Sequence, residues 1–344
     1  MTAVRVLVVR VGAMGDVLHA LPAVTALRRA RPDWEIGWAV DERWAALLRS
    51  EAAVAPGAVD TVHTVATKAW SANPVSVRTV RQIAGLRGEL RSVGYDVCVD
   101  MQGTIRSAVI GRMAGAREFA GYADPRERQA GWMYGRRLER RGVHVVEQGC
   151  ALLGEAVGVP LEPVAVDLPL DAAAEVWCDG VVGGGGGFCV LAPTAGWGAK
   201  VWPAERYGEV ARELAGAGYD VIVNAVDRKD AVAAAVVEAS GGVARAVAST
   251  VAQMTALLRG SSLVIAGDTG PLHLAAALGR PVVGLFGPTD PARNGPFGTR
   301  ALVLRHVAST TDHRRTGETE AGLLQMGTGD VVEAAMELLG REGG

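Results

Sequence analysis

The chain has 344 residues, 49% of them hydrophobic and 21% charged, with a formal net charge of −2. That length allows two domains with separate cores, and that composition is one of a globular protein rather than a disordered or fibrous one. The apolar runs are short and interrupted by Gly or Arg, so no membrane-crossing segment is expected, and the first residues enter a strand without a signal-peptide pattern. The expected location is the cytoplasm. Cys98, Cys150, Cys178 and Cys189 form no Cys-x-x-Cys pair and have no accompanying His spacing, so they read as buried thiols rather than a zinc site or disulfide framework.

Arg5 to Val11 is a near-continuous Val/Leu run, the pattern of a central parallel strand buried on both faces. Gly12-Ala13-Met14-Gly15-Asp16 is a tight turn, after which apolar residues from Val17 to Leu27 recur at helical spacing. The G-x-G-x-x-G dinucleotide spacing is absent. Asp16 is either the N-cap of a Val17–Arg29 helix or a carboxylate at the C-terminal edge of a central strand, where open α/β sheets bind ligands. Trp34–Val40 and Val97–Asp100 continue the alternation, so the first half is a mostly parallel α/β sheet.

Charge is unevenly distributed. Residues 1–166 hold 21 Lys and Arg against 17 Asp and Glu, and within 104–141 nine arginines face four acids. Such a run is either a solvated helix face or the footprint of an anionic partner.

Pro160–Pro169 loses helical period, and five glycines at 183–187 follow a short helix expected over Asp171–Gly180, so 169–187 is a candidate linker between domains at 1–168 and 188–344. The final helix is expected to return to the first domain. Phe188–Ala192 starts a second sheet and leads into a Gly-rich loop holding Lys200. That lysine is either an ordinary surface residue or an ammonium within reach of phosphate oxygens. A helix over Glu205–Ala215, a strand over Tyr219–Asn224 and a helix over Gln253–Leu258 follow.

Leu263–Ala266 then runs through Gly267-Asp268-Thr269-Gly270-Pro271 into a helix ending at Leu278, and Pro281–Phe286 is the next strand. Asp268 or Thr269 either caps that helix or borders free backbone N–H groups at a helix N-terminus, a ready site for phosphate at Thr269 and Gly270. No Asp-x-Asp pair or His/Cys/carboxylate cluster suggests a metal.

Four stretches together resemble glycosyltransferase family 9, the heptosyltransferases of the lipopolysaccharide inner core, and most closely its heptosyltransferase I subgroup. They are the first strand into Met14-Gly15-Asp16-Val17-Leu18-His19-Ala20-Leu21-Pro22, then Asp100-Met101-Gln102-Gly103, then Lys200-Val201-Trp202-Pro203, then Asp268-Thr269-Gly270-Pro271-Leu272-His273-Leu274-Ala275 with Gly287-Pro288-Thr289-Asp290-Pro291. The chain departs from the family after Tyr219–Asn224, where Ala225-Val226-Asp227 replaces a Gly and an acidic residue, and before Lys200, where the usual Thr-Thr is missing.

The resemblance implies an α/β GT-B fold of two Rossmann-like domains facing across a cleft, with acceptor in the first and ADP-heptose in the second. It implies Asp16 as general base. On the donor side it implies Thr194, Gly196, Lys200, Met254, Asp268, Thr269, Gly270 and His273. On the acceptor side it implies Met14, Gly15, Gln102, Arg106, Arg126, Tyr134 and Arg136. Neither metal nor cofactor is expected. The implied acceptor is an anionic Kdo-lipid A type molecule reached peripherally at the inner face of the inner membrane, with no role for nucleic acid.

Overall fold

The computed structural model describes residues 4–49, 57–183, 186–312, 314 and 317–340. The chain forms two compact units, divided between Pro169 and Leu170.

The first unit runs β1 (Arg5–Val9), α1 (Met14–Ala30), β2 (Glu35–Asp41), β3 (Thr61–Val65), α2 (Thr67–Ala72), α3 (Val77–Val93), β4 (Val97–Asp100), α4 (Ile105–Ala114), β5 (Glu118–Tyr122), β6 (Arg136–Leu138) and α5 (Val145–Val157). Its six strands are parallel, in the order β3-β2-β1-β4-β5-β6. A parallel sheet is covered on both faces, which explains why β1 is apolar and buried after its first residue. Leu7 and Val9 face a core shared with Leu86 and Leu90 of α3 and Ala108 and Ile110 of α4. Val6 and Val8 point to the other side by the two-residue period.

The second unit runs α6 (Ala172–Val182), β7 (Phe188–Ala192), α7 (Ala204–Gly216), β8 (Asp220–Ala225), α8 (Ala231–Ala239), β9 (Ala244–Ala248), α9 (Val251–Gly260), β10 (Leu263–Gly267), α10 (Gly270–Ala277), β11 (Val282–Phe286), α11 (Pro291–Asn294), β12 (Ala301–Arg305), α12 (Ala321–Gln325) and α13 (Thr328–Leu338). Its parallel sheet is ordered β12-β11-β10-β7-β8-β9. Trp202 is fully buried, packs edge-on against Tyr207 at 5.0 Å and donates its indole N–H to the Met326 carbonyl. Val331, Ala335 and Leu338 of α13 belong to this same core.

Within the stretch read as a linker, α6 packs on α9, where Arg259 pairs with Glu175. All four cysteines are buried. Among the described residues no helix is long and apolar enough to cross a membrane.

Each unit winds its sheet in the same way, with its first strand between its second and fourth. The crossover direction reverses beside β1 and β4 in one unit and beside β7 and β10 in the other, and loops at the carboxyl ends of such strands form ligand crevices.

Candidate functional site

In the first unit the chain leaves β1 directly into α1, which begins at Met14, earlier than Val17, where the apolar spacing starts. Asp16 is therefore the third residue of the helix and not its N-cap. Its Oδ2 accepts from the Ala13 N–H at 2.9 Å, and its Oδ1 pairs with the Arg10 guanidinium at 2.7 Å. Arg10 also donates to the Asp16 carbonyl and the Met101 carbonyl, which ties the turn after β1 to the turn after β4. The Asp16 side chain keeps 36% of its surface exposed, so a carboxylate is both oriented and reachable.

Gln102 is half-buried, and its Oε1 accepts from Val11 N at 2.7 Å and Gly12 N at 3.3 Å. Asp100 beneath it has no exposed surface and accepts from Gln102 N, Gly103 N, the Ser107 hydroxyl and the Tyr134 hydroxyl at 2.7–3.1 Å. Burial pushes its carboxyl up, against the pull of those four hydrogen bonds. Gly103 has φ of 72°, and a Cβ there would lie 3.1 Å from Arg126 N, so the turn needs glycine both for its backbone and for the close approach of the 125–126 segment.

Met14 is buried at the start of α1 and Gly15 half-buried beside it, while Arg106 is exposed in the first turn of α4. Arg126 is exposed and, among the described residues, has no ion-pair partner. Two residues expected on the acceptor side lie elsewhere. Tyr134 is buried, with its hydroxyl engaged by Asp100, so it supports the Gln102 turn from below. Arg136 opens β6, the edge strand three places from β1, opposite Ala120 of β5. There it pairs with Glu118 at 3.1 Å and donates to the Glu155 and Ala156 carbonyls at the end of α5. A cation at a helix C-terminus is a structural placement.

In the second unit, β10 leads to Asp268. Its Oδ2 lies 2.5 Å from Lys200 Nζ and its Oδ1 2.9 Å from His273 Nε2, with all three side chains at most 12% exposed. Burial alone would raise the Asp268 pKa. The hydrogen bond and charge of His273, together with Lys200, win and hold it well below the usual carboxylate range. Lys200 also sits 4.9 Å from the Trp197 ring centre, so it is a pinned ammonium rather than a mobile surface one.

α10 starts at Gly270, one residue before Pro271, and no side chain caps it. Thr269 occupies the N-cap position, but its hydroxyl donates back to the Gly267 carbonyl at 3.2 Å, and Asp268 is held by Lys200 and His273. The helix thus presents uncapped backbone N–H groups beside an ammonium, an arrangement that favours an anion.

Thr194 is half-buried and donates to Asp230, the N-cap of α8, while Gly196 is exposed on the same loop. Met254 is buried in the first turn of α9. Among the described residues no group of three or more His, Cys, Asp or Glu side chains is placed to hold a metal ion.

Three supporting residues escaped the sequence reading: Arg10, Asp100 as a buried hub, and Asp230. Arg10 carried a usable signal, since a charge directly after a buried apolar strand needs a partner.

Two Rossmann-like units, each with a chemically equipped turn at its switch point, define a GT-B-type glycosyltransferase. The profile of glycosyltransferase family 9 (heptosyltransferase) matches residues 83–323. The chain is 32% identical over 307 residues to lipopolysaccharide heptosyltransferase 1 of Pseudomonas aeruginosa, covering 87% of this chain and 83% of that one. It is 29% identical to lipopolysaccharide heptosyltransferase 1 of Escherichia coli K12, covering 88% and 93%. Among solved structures, the E. coli heptosyltransferase WaaC with ADP superposes with a TM-score of 0.80 at 26% identity, covering 97% of this chain and 99% of that one. The chain belongs to glycosyltransferase family 9 and is a glycosyltransferase enzyme.

Proposed function

We propose that the protein transfers heptose from ADP-heptose to a Kdo-containing lipopolysaccharide inner-core acceptor, with inversion and without a metal ion. The names of its relatives supply the sugar and the pathway. The observation that carries the chemistry is the uncapped start of α10 beside the Lys200–Asp268–His273 cluster. The α10 amides and Lys200 take up the charge that develops on the departing diphosphate, a preorganised stabilisation that needs no reorganisation during the reaction. In the first unit Asp16, oriented by Arg10 and the Ala13 N–H, takes the proton of the attacking acceptor hydroxyl. The first unit is the acceptor domain and the second the nucleotide-sugar domain.

Incubation with ADP-heptose, with and without Kdo-lipid A, tests this reading. ADP release and a heptosylated lipid are expected only with both. Epimerised or free sugar formed without acceptor indicates an isomerase, and binding without turnover a nucleotide-sugar carrier. EDTA is expected to leave turnover intact, and complete loss restored by Mg²⁺ or Mn²⁺ would overturn the metal-free mechanism.

Lys200→Ala is expected to weaken ADP binding, measured by calorimetry, by about 10- to 150-fold, the range of a charge-assisted phosphate contact. Unchanged affinity would leave Lys200 as a partner of Asp268 only. Arg126→Ala is expected to raise the acceptor KM and flatten its salt dependence, with the donor KM steady. An unchanged acceptor KM would return Arg126 to the solvated surface.

A further inference from the structure

Asp268 holds the side chain of Lys200, but the backbone on either side of that lysine is held from a different direction. The short helical turn over Gly198–Lys200 spends the N–H groups of Lys200 and Val201 within the loop, on the Trp197 and Gly198 carbonyls. The carbonyls of Ala199 and Val201, which flank Lys200, take their donors from outside it, as buried backbone groups must. Both donors come from one dipeptide. The Glu320 N–H reaches the Ala199 carbonyl at 3.2 Å, and the Thr319 hydroxyl reaches the Val201 carbonyl at 2.9 Å across 118 residues of sequence. The segments touch backbone to backbone at Gly198, where an added Cβ would run into the Gly317 carbonyl. On its other side the Lys200 carbonyl lies against β10, 3.0 Å from where a Cβ on Gly267 would sit.

The dipeptide is itself firmly anchored. Glu320 is the N-cap of α12, and its carboxylate accepts the Leu323 N–H at 2.8 Å, the Ser309 hydroxyl at 3.1 Å and the Thr310 N–H at 3.2 Å. It also abuts the turn after β11, since a Cβ on Gly287 would lie 3.1 Å from Glu320 Oε2. Burial alone would raise the Glu320 pKa, but these hydrogen bonds outweigh it and hold the carboxyl below its ordinary value. Leu323 fixes α12 from beneath, fully buried in the core of the second unit.

We propose that Thr319 and Glu320 are positioning residues for the donor nucleotide, acting through Lys200: by clasping the carbonyls on both sides of that lysine they set where its ammonium meets the diphosphate. A lysine stem is long and flexible, so fixing its backbone before the ligand arrives removes part of the ordering cost of binding. The inference rests on the reading above that Lys200 contacts the diphosphate. A dipeptide that only docked α12 would affect melting and leave ADP affinity alone.

The test is calorimetric titration of the full chain with ADP. Thr319→Val keeps the side-chain volume and removes the donor to Val201, and it is expected to raise the ADP Kd by about 3- to 10-fold, the net worth of one hydrogen bond. Thr319→Ser, which keeps the hydroxyl, is expected to stay near the parent. Combined with Lys200→Ala, Thr319→Val is expected to add nothing to the loss caused by Lys200→Ala alone, because two residues acting through one contact are not additive. Parent-level affinity in Thr319→Val overturns the inference. So does an undiminished further loss in the Lys200→Ala background, which would mean that the clasp acts on the nucleotide without the lysine. Should Thr319→Val fail to fold, Glu320→Gln, which keeps the length and loses the charge, carries the same two readings. If Lys200→Ala itself binds ADP like the parent, the phosphate assignment fails and this inference with it. If Lys200→Ala weakens binding and Thr319→Val does not, only this inference fails.

Discussion

Asp16→Asn is expected to lower turnover by roughly two to four orders of magnitude while leaving ADP affinity within a few-fold of the parent, because it removes a proton acceptor and keeps the side-chain shape. The turn should survive the change. The asparagine Oδ1 can still accept the Ala13 N–H that now reaches the carboxylate at 2.9 Å, although the ion pair to Arg10 is lost. Single-turnover rates with saturating donor and acceptor make the measurement. A rate within a few-fold of the parent would leave Asp16 as a residue that only reaches back to the start of α1, with no part in proton transfer.

The second large effect is on stability. Asp268→Ala leaves the Lys200 ammonium and His273 buried without their shared carboxylate, and breaking a buried pair from one side typically costs about 3–5 kcal/mol. At about 2–4 °C per kcal/mol for a unit of this size, the melting midpoint should fall by roughly 6–20 °C. The difference should depend on pH with a definite sign. Because the folded-state pKa of Asp268 is depressed, its stabilisation is fully present above the unfolded carboxylate pKa of about 3.9, and is lost as pH falls toward the lower folded value. Parent and variant should therefore differ most near neutrality and converge in acid. A pH-independent difference would mean that lost packing, not the ionised cluster, sets the stability.

The strands were the most legible part of the sequence. Val97–Asp100 and Phe188–Ala192 run between the residues expected, because a buried parallel strand is a short apolar run with sharp ends. Helix starts were harder. The apolar periodicity of α1 begins at Val17, but Met14 and Gly15 already have helical backbone, and this shift moves Asp16 from a cap to an interior position. Side-chain destinations were least legible. Tyr134 and Arg136 lie two residues apart, yet one runs inward to Asp100 and the other to Glu118 and the end of α5, and nothing local marks β6 as a three-residue strand that starts at Arg136. That Asp268 does not cap α10 depends on where Lys200 sits, 68 residues away in sequence. Motif order announces such a cluster, but only the fold shows which partner each polar atom takes.

The burial of the cysteines bears on how the protein can be handled. Burial pushes the Cys150 and Cys189 thiols up to about 12, and those of Cys98 and Cys178 are raised as well, for the same first reason. A thiol titrating near 12 is ionised in only about one molecule in 10⁵ at pH 7, and it is the thiolate that attacks alkylating reagents. Sealed within the packed interior, the native thiols should ignore maleimides while the chain stays folded. A cysteine introduced at an exposed position such as Val226 would then be the single reactive handle for a fluorophore or spin label, with no need to remove the native four.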